Sequence, residues 1–227
     1  MTVTLITGAN RGIGFETATQ LVQLGHTVYI GARDAQRGAD AAAAIGARAV
    51  QLDVTDDDSV AAALATIDAE AGGLDLLVNN AGIMAPALDG PTALRVFDVN
   101  AVGIVRVTEA ALPLLRKSAD PAVVTISSSM GSFWATTTLE RPESQLQSAL
   151  YAASKAAATM LTVQYAKANP KVHFIALEPG YTATDMTEWM GGGRPVSDSA
   201  SVVVRYATDR AGLASGGLHD EHGELPW

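Results

Sequence analysis

The chain predicts an α/β fold, a doubly wound parallel sheet with helices on both faces, in a single domain spanning residues 1–227. Short apolar runs bounded by small or turn-forming residues alternate with Ala-rich stretches of helical character, the order a parallel sheet with crossover helices requires. The first apolar run passes through a glycine loop directly into a helix. The composition, 48% hydrophobic and 17% charged, suits one sizeable core and excludes a disordered or fibrous chain.

Val3-Thr-Leu-Ile-Thr7 reads as a buried strand, Gly8-Ala-Asn-Arg-Gly-Ile-Gly14 as a turn, and Phe15 to Leu24 as a helix. Gly8, Gly12 and Gly14 let the backbone bend sharply around Asn10, Arg11 and Ile13 and approach a ligand closely. The N–H groups and dipole of the following helix favour a phosphate anion, and a pyrophosphate is the natural guest. A plain strand-to-helix turn has the same local pattern, so the next unit decides between the two. Gly25 ends the helix and His26 to Ile30 forms a second strand. A carboxylate near the end of such a strand commonly accepts the ribose hydroxyls of NAD. Here the chain reads Gly31-Ala32-Arg33. Arg33, with Arg37 a helical turn on and Arg11 in the glycine loop, offers guanidinium groups suited to an additional phosphate, which points to NADP(H). Arg37 reads equally well as a solvated surface charge.

Ala35 to Ile45 is a helix stopped by Gly46, and Ala47 to Leu52 is a third strand closing on Asp53 and Val54, both assigned to the cofactor edge. Asp56, Asp57 and Asp58 place acids at the positive end of the next helix, a capping role rather than a metal site. Leu74 to Val78 is a fourth strand leading into Asn79-Asn80-Ala81-Gly82, whose small and amide side chains permit close backbone approach. The loops after Thr7, Ile30 and Val78 thus share the carboxyl edge of the sheet, where ligands bind in folds of this kind.

Pro91 to Arg116 reads as one or two helices, with Asn100 in apolar surroundings where its amide needs partners. Ala122 to Ile126 is a fifth strand ending in Ser127-Ser128-Ser129, with Gly131 just beyond. In the Ala-rich helix that follows, Tyr151 and Lys155 project from one face a turn apart. A neighbouring ammonium lowers the pKa of a phenol from its usual ~10, which makes Tyr151 a candidate general acid/base. The bland alternative is one partly buried ring and one solvated charge. Lys171 to Leu177 is a sixth strand, followed by Glu178-Pro179-Gly180 and Thr184. Residues 181–197, with Met186, Trp189, Met190 and Gly191 to Gly193, combine an apolar patch with a hinge, as either a closing lid or a loose surface loop. A short helix from Ser199 to Thr208 and a last strand within Gly216 to Trp227 complete the chain.

Taken in order, Thr7-Gly-Ala-Asn-Arg-Gly-Ile-Gly14, Asn79-Asn-Ala-Gly82 and Tyr151-x-x-x-Lys155 resemble the motifs of the short-chain dehydrogenase/reductase family, and the long stretch from Ser128 to Tyr151 resembles its carbonyl-reductase-like members. The resemblance implies a Rossmann-type catalytic domain that holds NADP(H) with its glycine loop, Asn80, Ala81, Gly82, Pro179, Gly180 and, at the nicotinamide carboxamide, Thr184. It implies Ser128 as the donor to the substrate carbonyl, with Ser127 and Ser129 as alternatives if the register slips. Tyr151 becomes the proton donor, Lys155 a partner of both the phenol and the nicotinamide ribose, and Asn100 part of a water chain from the lysine. The expected activity is NADPH-dependent reduction of a ketone, aldehyde or quinone, on a small substrate with apolar or aromatic groups. A non-catalytic NADP(H) sensor, or an alcohol dehydrogenase working oxidatively, are the alternatives, and the presence of Tyr, Lys and Ser together favours an enzyme. The stretch between Ser128 and Tyr151 is longer than most members use and includes Thr136 to Pro142, which favours a monomer or dimer over a tetramer.

A formal net charge of -9 argues against a nucleic-acid surface. No apolar run approaches membrane-spanning length. Cysteine is absent and the four histidines form no ligand cluster, so no metal site is expected. Because a strand follows Met1 at once, leaving no room for an export signal, a cytoplasmic location is expected.

Overall fold

Adjacent residues of the central strands feed two different cores. Leu5, Tyr29, Leu77, Val123 and Phe174 pack on one side of the sheet, and Ile6, Ile30, Val78, Val124 and Ile175 on the other. This is the two-residue period of a strand. Because both faces are covered, these strands carry near-continuous apolar runs rather than polar alternation.

In the computed structural model, which describes residues 2–227, the strands are β1 (Val3–Thr7), β2 (Thr27–Ala32), β3 (Arg48–Gln51), β4 (Leu76–Asn79), β5 (Ala122–Ile126), β6 (His173–Leu177), β7 (Leu218–Asp220) and β8 (Gly223–Glu224). Their order is β3-β2-β1-β4-β5-β6-β7-β8, with every pair parallel except β7 with β8. The chain therefore reverses its direction of travel across the sheet between β1 and β4, and the crevice outside their carboxyl ends is the natural ligand site. Helices α1 (Gly12–Gln23), α2 (Ala35–Ile45) and α8 (Val196–Thr208) cover one face. Helices α3 (Asp57–Ala71) and α5 (Gly103–Leu115) cover the other, where α7 (Ala149–Ala168) also packs Tyr165 on Phe174. No helix among the described residues is long and apolar enough to cross a membrane.

Three features differ from the sequence reading. Helix α1 starts at Gly12 rather than Phe15, so the glycines themselves form its first turn. The stretch read as one or two helices is α4 (Gly90–Phe97) joined to α5 by a π turn, Asp98–Val102, which contains Asn100. Such turns recur at functional sites. The last strand is two short strands in a hairpin, because Asp220 Oδ1 accepts the His222 N–H at 2.7 Å and Gly223, the first residue of β8, takes φ 131°.

Buried His219 lies tilted against Tyr206, and among the described residues neither of its ring nitrogens has a partner. Burial lowers its pKa, and does the same for His26 and His173. These rings fold neutral, whereas in the unfolded chain they take up protons below ~6.5. Their contribution is present above that value and is lost as pH falls from it through the depressed folded-state pKa values. Denaturant unfolding at pH 7.5 and 5.5 is expected to show lower stability at pH 5.5, with a smaller difference in His219→Phe.

Candidate active site

The first turn of α1 is built to receive an anion. Helices α2, α3 and α4 are each capped by an aspartate side chain, Asp34, Asp56 and Asp89, but no side chain caps α1 and no acid lies in its first turn. Gly8 takes φ 65°, and a Cβ on Gly14 would lie 2.4 Å from the Asn80 amide nitrogen. That amide nitrogen in turn donates to the Thr7 carbonyl at 2.8 Å, while Thr7 Oγ1 accepts the N–H groups of Asn80 and Ala81, each at 3.0 Å. The glycine loop and the Asn80-Ala81-Gly82 loop are thereby held together across the β1–β4 crevice. Thr184 reaches the same place, with its methyl 3.8 Å from where a Gly12 Cβ would be. These observations fit a dinucleotide whose pyrophosphate lies at the α1 N-terminus.

Further along the same edge, α7 presents Tyr151 and Lys155 to the end of β5. Lys155 is 5% exposed and donates from Nζ to the Ile126 carbonyl at 2.6 Å. Its ammonium lies 5.6 Å from the Tyr151 ring centroid. Ser128 lies beside the Tyr151 hydroxyl, and its presence there favours the ionised phenol. The other two serines turn elsewhere. Ser127 Oγ donates to the Lys155 carbonyl at 3.1 Å and shares a 2.7 Å bond with Thr159, and Ser129 lies beside Glu143. Gly131 makes the assembly possible, since a Cβ there would lie 2.6 Å from the Ala156 nitrogen on α7.

The electrostatics differ from the expectation that Lys155 depresses the phenol. Burial, and then the Glu178 carboxylate, push the Tyr151 pKa well above the ordinary phenol value, with Ser128 opposing. The ammonium is turned to the Ile126 carbonyl and lies against the ring instead of at the hydroxyl, which is the physical reason. Burial lowers the pKa of Lys155 itself to about 8, against an opposing effect of Glu178.

Asn100 sits in the π turn with no exposed surface, accepting the Ile83 N–H and donating to the Ile83 carbonyl, both at 2.8 Å, and donating to Ser154 Oγ at 3.0 Å. Its side chain thus clamps the loop after β4 to α7. Asp53 turns Oδ1 onto Thr55 Oγ1 at 2.7 Å, and Val54 packs on Gly103 while its carbonyl accepts from Arg106. Arg33 is exposed at the end of β2, and Arg37 lies 3.7 Å from Asp34 on the helix that Asp34 caps. Arg11 is not free: it pairs with Asp185 at 2.7 Å, bridging the glycine loop to the segment after Gly180. That segment folds back on itself through a Thr182–Arg194 bridge and a Tyr181 hydroxyl bond to the Gly191 carbonyl at 2.6 Å, leaving Trp189 74% exposed. Three participants escaped the sequence reading: Glu178, which bonds the Ser129 and Gly180 N–H groups, and the Arg141–Glu143 pair. A lone acid at the end of an apolar strand was the available sign of the first.

This fold and this set of side chains define a nicotinamide-dependent oxidoreductase class. The chain belongs to the short-chain dehydrogenase family, whose profile matches residues 2–192. It is 35% identical to cis-4-hydroxycyclohexanecarboxylate dehydrogenase of Sinomonas cyclohexanicum, over 92% of this chain and 82% of that one. Among solved structures it resembles NADPH-bound carbonyl reductase from chicken fatty liver, with a TM-score of 0.89, 28% identity and 100% of both chains covered. It also resembles 3-ketoacyl-(acyl-carrier-protein) reductase from Brucella melitensis complexed with NADH, with a TM-score of 0.84, 26% identity and 97% and 96% of the two chains covered.

Gly131→Ala is expected to push the serine turn away from α7, costing ~1–3 kcal/mol as overpacking does. The denaturant midpoint at unchanged slope measures it.

Proposed function

We propose that the protein reduces the carbonyl of a ketone, aldehyde or quinone with NADPH. The observation that carries this reading is the Tyr151–Ser128 hydroxyl pair beside buried Lys155, on the sheet edge that holds the glycine loop. When bound, NADPH supplies a hydride for the carbonyl carbon. The α1 N-terminus with Gly8, Asn10, Gly12, Ile13 and Gly14 would hold its pyrophosphate, and Asn80, Ala81 and Gly82 would border it. Pro179, Gly180 and Thr184 would flank its reactive end. Ser128 would hold the substrate oxygen as charge develops on it, and Tyr151 would give that oxygen its proton. Lys155 would keep a positive charge beside the phenol and reach the ribose. Residues 181–197 would close over the substrate, and exposed Phe133, Trp134 and Trp189 offer apolar and aromatic contact surface for it. The oxidative direction is the second reading, supported by the dehydrogenase from Sinomonas cyclohexanicum.

Tyr151→Phe tests the chemistry. NADPH binding, followed by fluorescence, should survive while turnover of the best substrate in a carbonyl panel falls by at least the ~10²–10⁴ that acid catalysis supplies. Equal turnover in the variant would remove Tyr151 as the donor. In the wild type, kcat/KM should fall as pH rises through about 8, where Lys155 loses its charge while the phenol stays protonated.

Cofactor choice is tested at Arg33, whose exposed guanidinium at the end of β2 supports preference for NADPH. Arg33→Asp should shift kcat/KM toward NADH, because a carboxylate repels the added phosphate and accepts the free ribose hydroxyl. Equal wild-type use of both cofactors would remove the preference.

A monomer, or at most a dimer, is the proposed assembly. The insertion folds onto its own chain: Ser132 Oγ, the cap of α6 (Phe133–Thr137), donates to the Pro226 carbonyl at 2.6 Å. Light scattering at micromolar concentration should give a mass below that of a tetramer.

A further inference from the structure

Two carboxylates converge on Ser129, the neighbour of Ser128. Glu178, the first residue past β6, accepts the Ser129 N–H with one oxygen and the Gly180 N–H with the other, the latter at 2.7 Å. Glu143 is buried beside Ser129 and is gripped by Arg141 through Nε at 3.0 Å and Nη2 at 2.8 Å. Arg141 in turn lies over the Trp134 ring, 5.0 Å from its centroid. On the far side of the Pro179-Gly180 loop, Arg194 donates to the Pro179 carbonyl and to Ser199 Oγ and pairs with Glu221 at 2.9 Å. A half-buried carboxylate offsets its desolvation only through charge-assisted bonds of this kind, and bonds to two separate loops make it a strut between them.

We infer that Glu178 is a positioning residue: it ties the serine turn after β5 to the Pro179-Gly180 loop and so sets the spacing between the substrate-oxygen site and the reactive end of the cofactor. Arg141 and Glu143 fasten the insertion to the same turn, which gives the long Ser128–Tyr151 segment a role in the site beyond covering a surface. The inference rests on the reductase reading above. Besides holding geometry, Glu178 brings charge. The ionisable groups around it are Tyr151 and Lys155 from α7, Arg141 with Glu143 from the insertion, and Arg194 with Glu221 beyond the loop, while Asp220 faces Arg141. The carboxylate disfavours phenolate at Tyr151 and favours ammonium at Lys155. Whichever of the two governs the alkaline fall in rate, loss of the Glu178 charge moves that fall to lower pH.

Glu178→Gln keeps the size and one acceptor oxygen but removes the charge and one bond, and Glu178→Ala removes the strut. Both are measured beside wild type for the pH profile of kcat/KM, for kcat and the KM of NADPH separately, and for amide hydrogen exchange at Ser129 and Gly180. The expected result for Glu178→Gln is an alkaline limb at lower pH and a kcat reduced by up to ~10²-fold, the scale of a misplaced reacting group, with the KM of NADPH little changed. Ser129 and Gly180 amides should exchange faster in both variants. A pH profile and kcat in Glu178→Gln that superimpose on wild type would overturn the positioning role, as would unchanged exchange at both amides in Glu178→Ala. If wild type turns over no carbonyl, the reductase reading fails; the exchange data then still decide whether the strut holds the two loops. Should Glu178→Ala not fold, Glu143→Gln with Arg141→Met tests the second arm, expected to raise exchange at Ser129 but not at Gly180, and equal effects at both amides would overturn the two-armed arrangement.

Discussion

The Lys155 ammonium sits 5% exposed at the junction of α7 and β5, in surroundings that disfavour its charge, and a 2.6 Å bond to the Ile126 carbonyl holds it there. A buried cation with few partners is expensive, so the elements around it must be placed closely. Gly131 lets the turn after β5 come against the backbone of α7, and Ser127 locks that turn to the Lys155 carbonyl. Once the turn is fixed, Ser128 has its hydroxyl at Tyr151. Asn100 also secures α7, through Ser154, while holding Ile83 in the loop after β4. The site is thus assembled around one desolvated charge, with helix, strand end and two loops each adjusted to it.

That arrangement explains what was legible in the chain. Strands buried on both faces must be apolar at nearly every position, so β1, β2, β4, β5 and β6 stand out as uninterrupted runs, and their alternation with helices dictates a parallel sheet. Glycine at 8, 12 and 14 is legible because backbone geometry and close packing exclude other residues there. Tyr151, Lys155 and Ser128, singled out by the spacing on one helix and the order of motifs, are brought to one place by the docking of α7 on β5. The rest depends on tertiary contacts that leave no local periodicity. Glu178 looks like any acid at a strand end until Ser129 and Gly180 are brought to it across the sheet. The Arg11–Asp185 pair joins residues far apart in sequence. The π turn at Asn100 follows from satisfying that amide with Ile83 and Ser154, which a helical pattern alone does not foretell. The final hairpin is too short for strand periodicity to register.

The insertion shows why length alone was an incomplete guide. It was read as an obstruction to oligomer contacts, a property of its outer surface, where Phe133 and Leu139 are indeed about three-quarters exposed. Its inner side does something the sequence does not display. Glu143, buried and held below the ordinary carboxylate range by Arg141 and Ser129 against the opposing effect of burial, anchors the insertion beside the serine turn. A charged pair at i and i+2 carries no helical or strand signature, and its meaning emerges only when Ser129 supplies the third member.

The same packing sets the protonation state of the phenol. A proton donor must be protonated at rest, whereas the reverse reaction starts from a base. Both the burial of Tyr151 and the nearby Glu178 carboxylate favour the protonated form, and Ser128 only partly opposes them. Lys155 does not reverse this, because its ammonium is directed at a backbone carbonyl and its own charge is weakened by the same burial. A low-dielectric setting that penalises phenolate keeps Tyr151 protonated at rest and at the same time weakens it as an acid, so neighbouring groups that favour phenolate are what ease the loss of its proton. Burial of this kind also strengthens any hydrogen bond made at the Tyr151 and Ser128 hydroxyls relative to one made in water. The protonated state of Tyr151 and the placement of Ser128 beside it are thus two consequences of one packing decision, the docking of α7 on β5.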